Sequence, residues 1–301
     1  MMKQVERLTA LATELFLSLP LVKDRLLSDL DKAFHAGREQ GFRRLRDMST
    51  RTVGQLLLDI PPRYSHAARS LPHMPPIEVQ QNWTGNHGKY LLRQSVNFVE
   101  SMVQGYSELS RVPLEQARVL DYGCGWGRLM RLMYSHVDPA QLYGCDPWDK
   151  SLQICRDANM QGQFALCDYV PEQIPFENSF ELIYAFSVFT HLSQKTADAV
   201  MAALRKAIAP NGVLLITVRP QTYWDVAPLD DANRARLRKL HMTEGFAFVP
   251  HQRETVDGEV TYGDTSMTND YIEQRWQDWR IVKTAINERD PLQRLVFLLP
   301  K

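Results

Sequence analysis

The sequence lacks a charge surplus, paired cysteines and a long apolar run. Its 301 residues carry 35 Lys and Arg against 35 Asp and Glu, so no overall charge attracts the chain to nucleic acid or an anionic membrane. No uncharged apolar run reaches the roughly 18 residues of a membrane-spanning helix. The apolar N-terminus, interrupted by Glu6 and Glu14, is not typical of a signal peptide. We therefore expect a cytoplasmic protein that binds neither nucleic acid nor membrane.

Cysteine is scarce and its spacing predicts no metal site. The four cysteines are separated by 21, 10 and 12 positions, with no C-x-x-C pair and no histidine at zinc-ligand spacing. We expect reduced thiols buried in the core and no bound metal. The residues are Cys124, Cys145, Cys155 and Cys167.

The first quarter of the chain predicts helices. Apolar residues recur every three or four positions over 5–19 and 22–34, and a third short helix is predicted over 51–60. Five prolines between Pro61 and Ile77 indicate an extended linker. We expect a helical region over 1–75 that serves as a lid, a homodimer contact or a partner contact. Four of its arginines, clustered between positions 38 and 46, predict a solvated helix face.

Strand patterns alternate with helical patterns beyond position 116. Strands are predicted at 117–121, 141–146, 163–167, 181–188 and 212–218, and a helix over 128–136. This alternation predicts an α/β fold with a mainly parallel sheet. Further short strands are predicted at 245–250 and 259–262, then a helix from near Thr268. The last two strands, from Trp279 and Arg294, share a short loop and should pair antiparallel.

A glycine-rich loop follows the first of these strands. It runs from Asp121 through Gly123, Gly125 and Gly127, so its backbone can approach a ligand closely at the start of the next helix. A dinucleotide fingerprint needs glycine at position 128, where the chain has Arg128. The spacing therefore argues against a nicotinamide or flavin cofactor.

This loop resembles the first motif of the class I S-adenosylmethionine-dependent methyltransferases, an acidic residue followed by G-x-G-x-G. The resemblance continues in order through residues 117–218, including an entry to the fifth strand at Pro210-Asn211-Gly212. It implies a Rossmann-like methyltransferase domain over 117–301 with a specificity insert at about 219–268. Residues 76–116 would form a lead-in helix that covers the cofactor.

The resemblance also implies which residues hold S-adenosylmethionine. Asp146 would accept the ribose hydroxyls, Trp148 would stack on the adenine, and Asp168 would accept from its amino group. Phe186 and Ser187 would line the methionine end, and a lid would supply Trp83. The full set of expected cofactor residues is Trp83, Gly85, Asp121, Gly123, Cys124, Gly125, Gly127, Asp146, Pro147, Trp148, Asp168, Tyr169, Phe186 and Ser187.

The acceptor is less narrowly defined than the cofactor. His191, just after the fourth strand, is the candidate general base, because an unperturbed imidazole titrates near neutral pH. Candidate acceptor-binding residues lie in the insert: Arg219, Tyr223, Trp224 and Tyr262. The D/N-P-P-Y/F motif of nucleic-acid amino methyltransferases is missing at 185–188. We expect O-methylation of a small metabolite or glycan hydroxyl, with an amine or protein side chain, or a non-catalytic scaffold, as alternatives.

Overall fold

The computed structural model describes residues 20–252, 255–256 and 258–301. The predicted helix over 5–19 lies outside these residues. The helices and strands are numbered in order along the described residues. The helices are α1 (Pro20–Ala36), α2 (Arg38–Arg46), α3 (Thr50–Leu57), α4 (Ser65–Ser70), α5 (Ile77–Thr84), α6 (Gly88–Leu109), α7 (Met130–Met133), α8 (Asp149–Asp157), α9 (Gln194–Ala207), α10 (Tyr223–Val226), α11 (Asp231–Glu244) and α12 (Asn269–Arg275).

A seven-stranded sheet forms the centre of the molecule, in the order β3-β2-β1-β4-β5-β9-β8. Strand β9 runs antiparallel to the other six strands, which confirms the predicted Rossmann-like α/β sheet. Strand order reverses between β1 and β4, so ligands are expected above the carboxyl ends of these strands. The strands are β1 (Val119–Tyr122), β2 (Leu142–Asp146), β3 (Gln163–Leu166), β4 (Phe180–Ala185), β5 (Ile208–Val218), β6 (Phe246–Pro250), β7 (Gly263–Met267), β8 (Trp279–Ile286) and β9 (Arg294–Pro300).

The N-terminal helices share one hydrophobic core with the sheet. Leu27 of α1 and Leu56 of α3 belong to the same buried cluster as Val119 of β1 and Phe297 of β9. The proline-rich segment is not the extended linker that the sequence predicts. It contains α4, and its Leu71 is fully buried, because apolar residues between the prolines pack against the rest of this core.

The arginines of α2 and its neighbourhood bind other parts of the chain. Arg38 donates to Gln161 and Arg46 to Asp138, while Arg51 lies 3.3 Å from Glu100. These partners come from the sheet-bearing half, so the arginines fasten the N-terminal helices to it. Within the described ranges, no helix is long and apolar enough to cross a membrane. The four cysteines are free and buried, as predicted.

Two local predictions are wrong. The helix expected over 128–136 is reduced to the single turn of α7, because Leu132, Ser135 and His136 make i to i−3 backbone bonds. The strand expected at 259–262 is replaced by β7, which begins at Gly263 and pairs antiparallel with β6. This two-stranded ribbon, together with α10 and α11, forms the insert and has its own small core around Trp224.

Candidate active site

The glycine loop turns sharply above β1 and β2. Its three glycines all have left-handed backbones, with φ of 76° at Gly123, 54° at Gly125 and 75° at Gly127. The Gly123 and Cys124 amides both donate to the Cys145 carbonyl of β2. A Cβ added at Gly123 would lie 2.5 Å from Val188, so only glycine fits this approach.

Two buried carboxyl groups flank this loop. Asp146 Oδ2 accepts from the Gly125 amide at 3.0 Å, and its Oδ1 accepts from the Trp148 amide and the Ser151 hydroxyl. Burial raises the pKa of Asp146, opposed by these three hydrogen bonds. Asp146 thus holds the glycine loop, and its oxygens retain acceptor capacity for a hydroxyl group. Pro147 joins it to Trp148.

Asp121, at the end of β1, is the second carboxyl group. Burial raises its pKa to about 8, although the Tyr184 hydroxyl and the Arg128 guanidinium act in the opposite direction. Arg128 is itself half-buried, and desolvation lowers its pKa to about 10; its guanidinium lies over the Phe186 ring at 5.0 Å. Position 128, where a dinucleotide site needs glycine, therefore supplies the cation beside Asp121.

Trp83 of α5 reaches over the loop. Its ring is stacked on Trp148, with centroids 5.0 Å apart and planes 25° from parallel, and it lies 3.5 Å from the Cβ position of Gly125. Gly85 ends α5 with φ of 72° and has an open surrounding, so it shapes the turn beside Trp83. The structure thus brings Trp83, Trp148 and the glycine loop together.

The remaining expected cofactor residues surround the same point. Asp168 and Tyr169 are exposed at the carboxyl end of β3, next to β2. Ser187, after β4, has φ of 59°, and its strained backbone is held because its amide donates to Thr217 and its hydroxyl accepts from Gln293. The carboxyl groups fit the ribose of S-adenosylmethionine, the exposed aromatic rings fit its adenine, and the closely approaching loop backbone fits its methionine.

His191 is built into a polar cluster rather than left open. Its Nδ1 donates to the Gly263 carbonyl at 2.7 Å, its Nε2 faces the Arg219 guanidinium at 3.4 Å, and its ring stacks on Tyr262. Burial, then the charge of Arg219, lowers the pKa of His191 to about 4. Both ring nitrogens are engaged, which disfavours His191 as a proton acceptor.

Asp264 joins the other members of this cluster. Its Oδ1 accepts from Arg219 at 2.5 Å, and its Oδ2 lies 3.1 Å from Nε2 of His251. Burial raises the pKa of Asp264, but Arg219, His251 and Tyr223 outweigh burial and the net shift is downward. We call these residues the Asp264 cluster: His191, Arg219, Tyr223, His251, Tyr262 and Asp264.

The Asp264 cluster lies close to the glycine loop. Val188, which contacts Gly123, begins a tight turn in which its carbonyl accepts a hydrogen bond from the His191 amide. Arg219 donates to the Thr190 carbonyl within that turn. Sequence reasoning missed Asp264 and His251, because only the β6–β7 pairing brings them to His191. Trp224 is a correction: it is fully buried and donates to Ser266, so it belongs to the core of the insert.

The described residues hold no cluster of His, Cys, Asp and Glu suited to a metal ion. The fold and these residues instead define a methyltransferase domain. Residues 119–212 match the sequence family described as "Methyltransferase domain", and this part of the chain belongs to the class I type, whose cofactor is S-adenosylmethionine.

Two curated relatives each match more than a third of the chain. Trans-aconitate 2-methyltransferase of Variovorax paradoxus is 34% identical over 109 residues, which cover 36% of this chain and 41% of that protein. An uncharacterized protein of Rickettsia prowazekii is 24% identical over 122 residues, covering 39% and 49%. The chain thus spans less than half the length of these relatives.

Solved structures with a similar arrangement are distant in sequence. An S-adenosylmethionine-dependent methyltransferase from Clostridium acetobutylicum has a TM-score of 0.48 at 12% identity, covering 74% of this chain and 97% of that one. Magnesium protoporphyrin IX methyltransferase from Synechocystis with bound S-adenosylhomocysteine has a TM-score of 0.47 at 14% identity, covering 74% and 94%.

Proposed function

We propose that this protein is an S-adenosylmethionine-dependent O-methyltransferase that acts on a hydroxyl group of a small molecule. The observation that carries the proposal is the Asp264 cluster, in which His251 pairs with Asp264 and lies beside His191, the residue that ends the tight turn from Val188 at the glycine loop. The cofactor supplies an activated methyl group when bound. The protein must then align the acceptor oxygen, exclude water and take up the hydroxyl proton.

His251 is the proton acceptor in this proposal. Its Nε2 faces the Asp264 carboxylate, so Nε2 carries the proton and Nδ1 presents a lone pair. Arg219 neutralises and orients Asp264, and His251 is more exposed than His191, with 40% of its side chain accessible. Arg219 and Asp264 are positioning residues, since they act through His251.

The curated relative from Variovorax supports a small-molecule acceptor and suggests a second candidate. Its name specifies methylation of trans-aconitate, whose acceptor groups are carboxylates. A carboxylate carries no proton at neutral pH and so needs no general base. Dependence on His251 therefore separates hydroxyl acceptors from carboxylate acceptors.

Turnover by three histidine variants tests the assignment. The full chain is incubated with S-adenosylmethionine and a panel of hydroxylated metabolites, saccharides, carboxylic acids and amines, and release of S-adenosylhomocysteine is measured. With a hydroxyl acceptor, His251→Asn should lower kcat about 100-fold or more without changing the affinity for S-adenosylhomocysteine. His73→Asn, at an exposed position, is the matched control and should match the wild type.

Each other result points elsewhere. Loss of turnover in His191→Asn but not in His251→Asn would return the base role to His191. Unchanged turnover in His251→Asn with a carboxylic acid substrate would favour the second candidate. Product formed only from amines would establish N-methylation, and absence of cofactor binding by the wild type would leave a non-catalytic scaffold.

A further inference from the structure

A second cleft lies beneath the insert, between the ends of β5, β8 and β9. Its volume is about 330 Å³, which suits a small metabolite. Polar side chains from several elements line it, and no Asp or Glu is among the lining residues that the structure describes. The polar lining includes Gln221, His241, Asn269, Thr284 and Arg294.

Among the described residues that line this cleft, none belongs to the glycine loop or to the other expected cofactor residues. Side chains alternate between the two faces of a strand. Leu295 and Phe297 of β9 pack in the core that contains Tyr184, the neighbour of Asp121. Val296 and Leu298 pack in the opposite core, and Arg294 shares their face. The cleft is therefore distinct from the cofactor site.

Arg294 brings an uncompensated positive charge to the cleft. Its Nε is buried and has no hydrogen-bond partner, and within the described part of the chain no carboxylate pairs with its guanidinium. Arg219, the other arginine at the cleft, is already paired with Asp264. Arg294 is half-buried, so its charge has neither a paired carboxylate nor full solvation, and a bound anion would supply acceptors to its guanidinium.

His241 adds a neutral donor to the same wall. Trp224 Nε1 donates to Ser266 Oγ at 2.7 Å, which directs the Ser266 proton to His241 Nδ1 at 2.8 Å. This relay fixes the proton of His241 on Nε2, the remaining hydrogen-bonding atom of its ring. The cleft thus combines a guanidinium fork, an imidazole N–H and side-chain amides, all of which donate to oxygen anions.

We propose that this cleft binds a small carboxylate or phosphate anion, with Arg294 as the main ligand and His241 as a second donor. The site is additional to the proposed methyl-transfer site and does not depend on the identity of the acceptor. Because Val218 and Arg219 line the cleft at the end of β5, it also adjoins the Asp264 cluster.

Titration calorimetry on the full chain tests this proposal with two probes, citrate and inorganic phosphate, at constant ionic strength. We expect at least one of them to bind with a millimolar or lower Kd. Binding of citrate alone would indicate a carboxylate site, and binding of phosphate alone would indicate a phosphate site. Binding of both would indicate that the cleft recognises the oxyanion chemistry that the two probes share. Arg294→Gln should weaken binding at least tenfold.

Two further variants keep the experiment decisive. Arg280→Gln removes an exposed arginine from the adjacent strand β8 and should leave binding unchanged. Arg294→Lys retains the charge without the fork, so it should bind more weakly than the wild type and more tightly than Arg294→Gln. If Arg294→Gln fails to fold, the lysine variant carries the comparison. Absence of binding by the wild type, or equal affinity in all three variants, would overturn the proposal.

Discussion

Two separate restraints, one on the backbone and one on side-chain space, require glycine at position 123, which is Gly123. Its φ of 76° is unfavourable for any side chain, and an added Cβ would lie 2.5 Å from Val188. Gly258 has nearly the same backbone, with φ of 78°, but open space around it. A comparison of substitutions at these two glycines therefore separates the cost of backbone strain from the cost of steric contact with Val188.

Alanine at each position should reveal this difference. We expect Gly258→Ala to cost about 1 kcal/mol of unfolding free energy through strain alone, with unchanged affinity for S-adenosylhomocysteine. Gly123→Ala should cost about 1–3 kcal/mol more and weaken S-adenosylhomocysteine binding at least tenfold. Urea unfolding and titration calorimetry measure both quantities. Equal behaviour of the two variants would contradict the role of Val188.

Motif spacing predicts cofactor residues better than acceptor residues. Asp121 and Asp146 lie at the ends of adjacent parallel strands, β1 and β2, so their meeting follows from local patterns. Asp264 lies 73 positions after His191 in the sequence, and the two come together only because β6 and β7 pair as a ribbon. No local sequence pattern specifies this ribbon. The sequence predicts Trp224 in the acceptor pocket because it follows β5, but its indole N–H donates to Ser266 in the core.

At the level of elements, helix α6 contains a glycine that is unfavourable for helix formation but is required by packing against β9. Gly105 lies inside this helix, where alanine is favoured by about 1 kcal/mol. A Cβ at Gly105, however, would lie 2.3 Å from the Phe297 ring of β9, and Phe297 is almost fully buried. The ring has little room to retreat, so the steric cost should exceed the gain in propensity.

Gly105→Ala should therefore destabilise the protein by up to about 2 kcal/mol, which is the overpacking cost less the helix gain. Urea unfolding monitored by circular dichroism measures the change. The same substitution in a Phe297→Leu background should cost less, because leucine leaves space for the methyl group. A stabilised single variant would mean that α6 can shift away from β9.

The element that the sequence misplaced shows the limit of hydrophobic patterns. Residues 259–262 alternate like a strand, whereas β7 consists of Gly263, Asp264, Thr265, Ser266 and Met267. Thr265 and Ser266 are fully buried, and their hydroxyls bond Leu192, Trp224 and His241. Tertiary hydrogen bonds thus select a strand that its composition does not favour.

At the scale of the whole molecule, the shared core predicts that the N-terminal helices and the sheet unfold together. His136 stands at the junction, where its Nε2 lies 2.7 Å from the Thr50 hydroxyl of α3. Burial lowers the pKa of His136 to about 4 from its ordinary value of 6.5. Between about pH 6.5 and pH 4, His136 therefore stays neutral in the folded protein but is protonated in the unfolded chain.

Stability should consequently fall as the pH drops from about 6.5 towards 4, with His136 contributing up to about 3 kcal/mol of the loss. His136→Gln cannot be protonated and should flatten the decline by that amount. The remaining slope then reports the other groups, among them His191, whose pKa is also lowered to about 4. Parallel slopes for wild type and variant would show that His136 does not carry the effect.

Two probes test whether this loss is shared by the entire described fold. The six tryptophans all lie at or beyond Trp83, so their fluorescence follows the sheet-bearing half, whereas far-ultraviolet circular dichroism also follows α1 to α4. Because Leu27 and Phe297 belong to one core, both probes should give the same urea midpoint at every pH. A separate early transition seen only by circular dichroism would mean that the N-terminal helices form an independent folding unit, and that protonation of His136 releases them without unfolding the methyltransferase domain.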